Sequence, residues 1–250
     1  MVTIKSKTEI EYMREAGRVT GETLNMLQSL IEPGITTIEL DCAAEKFIRS
    51  QGCIPSFKGY GGFPGSVCIS INDEVIHGIP DKRALKEGDI VSFDVGACYK
   101  GYNGDAARTF GVGEISEEAQ KLIDVTRESF FAGIKFAKEG YRISDISAEI
   151  QRVAEAAGFS VLREYCGHGI GRDLHEDPEI PNYFHFGHRG IRIKPGMCLA
   201  IEPMVNMGKR EIFVGDDDWT VFTADGKPAA HYENTVLITD GEPECLTLVD

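Results

Sequence analysis

The chain has 250 residues, 42% hydrophobic and 26% charged, which is enough apolar matter for the core of one large domain and too much for a disordered polymer. Forty acidic residues against 26 basic ones leave a net charge of −14, which argues against a nucleic-acid binder held by phosphate contacts and against docking on anionic lipid. Residues 2–7 lack the apolar stretch of a secretory signal, and no run approaches the ~18 apolar residues of a membrane span, so a cytoplasmic protein is expected. Seven cysteines (Cys42, Cys53, Cys68, Cys98, Cys166, Cys198, Cys245) are scattered singly and read as free thiols of a reducing compartment.

In chain order, a first helix is expected from the capping box Thr8-x-x-Glu11, with Ile10, Met13, Leu24, Leu27 and Ile31 at helical spacing until Pro33-Gly34 stops it. Thr36-x-x-Glu39 opens a second helix with Leu40, Ala43, Phe47 and Ile48 as its apolar face and Gly52 at its end. Strands are expected over residues 67–71, 90–95 and 106–110. Two more helices follow over 117–138 and 145–157, then strands over 197–201, 219–223 and 232–239. Asp216-Asp217-Asp218 reads as a solvated loop.

The order helix, helix, strands occurs twice, and the punctuation repeats with it. Glu32-Pro33-Gly34-Ile35-Thr36 is echoed by Lys138-Glu139-Gly140-Tyr141-Arg142, with the glycines 140 − 34 = 106 residues apart. Gly52 and Gly158 are again 158 − 52 = 106 apart, while Gly88 and Gly196 are 196 − 88 = 108 apart. Six residues after each of the last two glycines stands a carboxylate, Asp94 or Glu202. The expectation is a single α+β domain over residues 1–250, made of two similar halves (about 1–110 and 112–250) joined near residues 111–113, with helices covering one face of a curved, mostly antiparallel sheet.

Asp94 and Asp105 flank a segment centred on Tyr99-Lys100-Gly101. If that is a hairpin turn, the carboxylates face each other across it at roughly 5 Å between Cβ atoms. Two such groups in an apolar strand environment repel, raise a pKa, or share a cation. Glu202 closes the matching strand of the second half, and Glu233 stands on a later one. Halves packed about a pseudo-twofold axis would bring all four together as hard oxygen ligands for a pair of divalent metals. His168 lies between glycines in Cys166-Gly167-His168-Gly169-Ile170-Gly171, where close backbone approach leaves the imidazole free to reach a ligand. His175 follows in Leu174-His175-Glu176, and His77 ends an apolar run before Gly78-Ile79-Pro80. His185 and His188 read as surface or structural residues, and His231, two residues before Glu233, as structural.

Taken together, His77-Gly78-Ile79-Pro80, the Asp94/Asp105 pair, Gly167-His168-Gly169-Ile170-Gly171, His175-Glu176, Leu199-Ala200-Ile201-Glu202-Pro203 and His231-Tyr232-Glu233 resemble the type I methionine aminopeptidases, and the resemblance runs from Thr8 to Thr247. It implies the duplicated pita-bread fold, with two pairs of helices over the curved sheet and pseudo-twofold symmetry. It implies a metalloaminopeptidase that removes an N-terminal methionine when the second residue is small. Two divalent ions per chain (Co, Mn, Fe or Zn) are implied, one chelated by Asp94, both bridged by Asp105 and Glu233, and the other completed by His168 and Glu202. A water between them would attack, Glu202 would shuttle the proton to the leaving amine, and His77 and His175 would contact the substrate backbone and stabilise the tetrahedral intermediate. Tyr60, Phe63, Cys68 and Trp219 would line the slot for the methionine side chain. Phe57 and Leu174 stand where the best-known enterobacterial pattern has cysteine and phenylalanine, which alters the expected pocket shape. The implied partners are nascent polypeptide N-termini, met free or at the ribosome, with no nucleic acid or membrane and a monomeric enzyme. A prolidase or prolyl aminopeptidase shares the fold and ligands but usually carries an extra N-terminal domain, and a type II enzyme needs a helical insertion for which residues 174–197 are too short. Non-catalytic pita-bread binding modules have lost their metal ligands, whereas all five are present here.

Overall fold

Residues 2–187 and 189–249 are described in a computed structural model; His188 lies outside them. The helices are α1 (Lys7–Ser29), α2 (Thr37–Ser50), α3 (Glu117–Gly133) and α4 (Ile143–Ala156). The first half contributes strands β1 (Ile54–Pro55), β2 (Val67–Ile71), β3 (Glu74–Ile76), β4 (Ile90–Tyr99) and β5 (Tyr102–Gly111). The second contributes β6 (Ser160–Val161), β7 (Cys166–Gly169), β8 (Glu176–Pro181), β9 (Cys198–Ile201), β10 (Met204–Asn206), β11 (Ile212–Val214), β12 (Val221–Thr223), β13 (Ala229–His231), β14 (Asn234–Leu237) and β15 (Glu244–Cys245). Every strand pairing is antiparallel.

Local hydrogen bonding explains where the elements depart from expectation. Helix α1 starts from the box Ser6-x-x-Glu9, not from Thr8: the Ser6 N–H donates to Glu9 Oε2 at 2.7 Å, while Glu11 pairs with Arg14. It ends at Ser29, where the Leu30 amide turns back to the Leu27 carbonyl, well before Pro33. Helix α2 begins at Thr36 with Glu39 closing the box, and Gly52, with φ +74°, takes the left-handed position beyond its end. Helix α4 begins two residues before Asp145, because the Asp145 carboxylate caps the Arg142 amide at 2.8 Å. Helix α3 gives way at Gly133 to a 3₁₀ turn over Ile134–Phe136. The strand expected over 219–223 is shortened to β12, since the amides of Trp219 and Thr220 are held by Asp217.

Two helix pairs cover two sheets. Helices α1 and α2 bury Val19, Leu24, Leu40 and Ile48 against Ile69 and Phe93 on β2 and β4. Helices α3 and α4 bury Leu122, Phe130, Ile146 and Ile150 against Leu199 and Val236 on β9 and β14. The sheets run β1-β4-β2 with β5 added on β4, and β15-β14-β9-β7-β8. The punctuation glycines match in backbone as well as in spacing, with φ +101° and +96° at Gly34 and Gly140, and +88° and +84° at Gly88 and Gly196. An isolated bridge joins Thr36 to Ala84 in one half and Arg142 to Arg192 in the other, offset by 142 − 36 = 106 and 192 − 84 = 108 residues. A third apolar cluster, including Met13, Phe57, Phe63, Leu174 and Ala200, fills the space between the halves and underlies the site.

Candidate metal centre

Strand geometry places the carboxylates. The β4–β5 hairpin turns on two residues, Lys100 and Gly101, both with positive φ (+49° and +80°) as a type I′ turn requires. That register sets Asp94 opposite Ala107 and Asp105 opposite Gly96. The two aspartates are therefore diagonal neighbours on one face and not directly opposed, since the turn is centred one residue later than expected. Their carboxyl groups nevertheless lie close enough for each to shift the other's protonation. The small side chains at 96 and 107 leave that diagonal open.

The second pair arises from a break in a ribbon. Ile201 pairs with Asn234 and Met204 with His231, so the count between them sets Glu202 opposite Glu233. The strand expected over 232–239 is shortened to β14, which starts at Asn234, and a strand not expected from the sequence, β13, ends at His231, leaving a break between the two. The Tyr232 amide still donates to the Pro203 carbonyl at 3.1 Å across the gap. Strand β5 runs along this break, with Ala107 and Glu233 exchanging backbone hydrogen bonds of 3.3 and 2.9 Å. Thr235 Oγ1 accepts from the Asp105 amide and donates to its carbonyl, both at 2.9 Å. Asp105 and Glu233 are thereby locked side by side, both buried.

His168 completes the group. Its neighbours must be glycines, because a Cβ at Gly167 would come within 2.4 Å of the Ala200 carbonyl oxygen and one at Gly169 within 2.1 Å of that of Asp177. His168 Nδ1 donates to the Gly169 carbonyl at 2.8 Å, which leaves the Nε2 lone pair facing Glu202 Oε1 at 3.6 Å and Asp105 Oδ2 at 3.9 Å. Donor atoms of Asp105, His168 and Glu233 all lie within 4.8 Å of one another, as do those of Glu202, His231 and Glu233. Asp94 Oδ1, Asp105 Oδ1 and Glu233 Oε1 are buried with no hydrogen-bond partner among the described residues. Clustered, unpartnered carboxylate oxygens with one imidazole lone pair fit hard divalent cations. Burial, reinforced by mutual repulsion at the last three, pushes Asp94 up to about 7 and holds Asp105, Glu202 and Glu233 well above the usual carboxylate range.

The same cavity, about 170 Å³, is walled by Phe57, Tyr60, Phe63, Cys68, Leu174 and Trp219 on its apolar side and also takes in His77 and His175. The loop carrying Tyr60 and Phe63 turns sharply on Gly59, Gly61 and Gly62, all at positive φ. Phe63 is buried edge-on against Trp219, with ring centroids 5.1 Å apart. Tyr60 stands at the mouth, its hydroxyl 2.7 Å from His175 Nδ1. If the phenol donates, the proton of His175 is on Nε2. His77 has φ +60°, a strained backbone of the kind found at functional sites. Burial lowers His77 and His168 to about 4 and lowers His175, so all three imidazoles are neutral at pH 7.

All the site residues singled out in the sequence meet in this one cavity. Asp216-Asp217-Asp218 is an exposed turn, as read, and within it the Asp217 carboxylate accepts from the Trp219 and Thr220 amides at 2.9 and 2.8 Å and so holds the tryptophan wall. His231, read as structural, is buried with Nε2 3.7 Å from Glu202 Oε2 and 3.8 Å from Glu233 Oε2. His185 lies away from the cavity, beside Tyr183. All seven cysteines are free.

Comparison with known proteins agrees with this arrangement. Residues 11–240 match metallopeptidase family M24. A methionine aminopeptidase of Clostridium acetobutylicum is 60% identical over 251 residues, covering all of both chains. Methionine aminopeptidase 1 of Bacillus subtilis is 53% identical, again over the whole of both chains. Among solved structures, the methionine aminopeptidase of Thermotoga maritima superposes with a TM-score of 0.97 at 46% identity, covering 100% of each chain. The prolidase of Pyrococcus furiosus, at 24% identity and a TM-score of 0.80, covers 99% of this chain and 66% of its own and shares the fold.

Proposed function

The chain belongs to metallopeptidase family M24, among the methionine aminopeptidases of pita-bread fold, and from that premise we propose that it removes the N-terminal methionine of proteins and peptides whose second residue is small. The observation that carries this reading is the meeting of Asp94, Asp105, His168, Glu202 and Glu233 with an aromatic slot in a single cavity. We assign two divalent ions to those five residues, drawn from Mn, Fe, Co and Zn. Bound there, the ions supply Lewis acidity and bring the pKa of water down toward neutrality.

The chain's own residues do the rest. An unbranched thioether suits a slot walled by Phe57, Phe63, Leu174 and Trp219, with Cys68 at its side and Tyr60 at its mouth. His77 and His175 stand close enough for one to depress the other's protonation. Neutral imidazoles there donate to the substrate's carbonyl oxygen as it gains negative charge. Glu202, buried among carboxylates that push its pKa up, is the group we assign to carry a proton to the leaving amine. On the same premise the substrates are nascent polypeptide N-termini, met in the cytoplasm and at the ribosome, by a monomeric enzyme.

The test follows methionine released from Met-Ala-Ser and from Met-Leu-Ser, using metal-stripped protein and protein reloaded anaerobically with Mn²⁺, Fe²⁺, Co²⁺ or Zn²⁺. Metal-dependent cleavage of the first peptide alone is expected. Folded protein inert under every metal would reject the reading, and equal cleavage of both peptides would reject the small-residue preference.

A further inference from the structure

His231 has no role in the chemistry above, yet it is among the most deeply buried polar groups of the site. Its ring is 2% exposed, and Nε2 has no hydrogen-bond partner among the described residues. The backbone fixes it: the His231 amide donates to Thr109 Oγ1 at 2.8 Å, the Thr109 hydroxyl donates back to the His231 carbonyl at 2.9 Å, and the residue pairs with Met204 on β10. From that strand, Nε2 stands 3.7 Å from Glu202 Oε2 and 3.8 Å from Glu233 Oε2. Glu202 is thus divided between two imidazoles, its Oε1 lying 3.6 Å from His168 Nε2 and its Oε2 turned toward His231.

We propose that His231 is a positioning residue of the metal centre, its Nε2–H donating to Glu202 Oε2 and Glu233 Oε2 and orienting both carboxylates for the ions. The proposal rests on the two-metal reading above. A lone pair directed at two carboxylate oxygens is repulsive, whereas an N–H between them attracts both. The gap to hydrogen-bond distance is under about 1 Å, within the reach of a glutamate side chain. Carboxylates that ligate a metal generally have their outer oxygens hydrogen-bonded, and losing such a partner weakens metal binding by about 10–100-fold. His168 already offers a lone pair on the other side of Glu202, so a second nitrogen ligand is not needed there.

Calorimetric titration of metal-stripped protein with Mn²⁺ tests this, together with the visible absorption of the Co²⁺-loaded form. His231→Leu, which has no donor, is expected to bind Mn²⁺ about 10–100-fold more weakly. His231→Gln, which keeps an N–H but no imidazole, should recover to within about threefold and leave the Co²⁺ bands unchanged. Leucine-variant affinity equal to that of the unmodified protein would overturn the proposal. So would a glutamine variant as weak as the leucine one, or one with altered Co²⁺ bands, since either makes His231 a ligand in its own right. If melting in EDTA shows the leucine variant unfolded, His231→Met, equally donor-less but more flexible, takes its place. Unmodified protein that takes up no Mn²⁺ would sink the two-metal reading itself, which separates that failure from this one.

Discussion

At the scale of single residues, what the site lacks matters as much as what it holds. Gly167 precedes the imidazole that faces Glu202 and Asp105, and the Ala200 carbonyl oxygen occupies the place where its Cβ would be, at 2.4 Å. The obstruction is backbone of the neighbouring strand β9, so no side-chain rotation relieves it. Gly167→Ala should cost about 1–3 kcal/mol of stability through overpacking, seen as a lower Tm. It should also weaken Mn²⁺ binding by about tenfold or more, because β7 must shift and carry His168 with it. An alanine variant with the parent Tm and Mn²⁺ affinity would show that β7 yields freely and that the glycine serves no packing purpose.

At the scale of elements, the metal centre is a seam between the halves, and Arg108 fastens it. From β5 its guanidinium donates to the Ala107 carbonyl at 2.7 Å, to Asn234 Oδ1 at 2.6 Å and to the Glu233 carbonyl, while lying 4.1 Å over the Tyr232 ring. Arg108→Met keeps the bulk but removes the donors and the cation–π contact, so a loss of about 2 kcal/mol is expected. Because Glu233 is anchored through its own backbone, Mn²⁺ affinity should fall as well. Arg108→Lys should recover part of both, and a methionine variant that loses stability but binds Mn²⁺ normally would show that the seam and the centre are independent. The sequence made the donors legible because their spacing follows turn chemistry: positive-φ glycines punctuate both halves, and each strand carries its carboxylate a fixed distance beyond one. What it hid depends on pairing. The two-residue turn at Lys100-Gly101 moved Asp94 and Asp105 from opposed to diagonal, and the break between His231 and Asn234 lies in a stretch whose residue types do not mark it. Neither a turn type nor a strand interruption is written in periodicity when the hydrogen bonds that decide it come from distant strands.

At the scale of the whole molecule, the site opposes the fold that holds it. Burial raises Asp94 to about 7 and raises Asp105, Glu202 and Glu233 well above their ordinary values. A carboxyl whose folded pKa is raised stabilises the fold fully below its unfolded pKa and loses that contribution as the pH rises through the folded value. The metal-free protein therefore gives up stability as the pH rises above about 4, with the part due to Asp94 lost by about pH 7. The histidines act in the opposite sense. His77 and His168, lowered to about 4, and His231, lowered to about 3, contribute stability that is present above pH 6.5 and lost on acidification. Comparing the rise in Tm on adding Mn²⁺ at two pH values weighs the ligand carboxylates. At pH 5.5 the cation must displace more protons from these carboxyls than at pH 7.5, where Asp94 has already given up its own. The rise in Tm at a fixed Mn²⁺ concentration should accordingly be several degrees larger at pH 7.5 than at pH 5.5. Differential scanning calorimetry of the stripped and loaded protein at both pH values measures it. A rise that is equal at the two, or larger in acid, would mean that the carboxylates are not protonated in the metal-free fold, and that the cost of bringing four of them together is met by some other cation the fold retains.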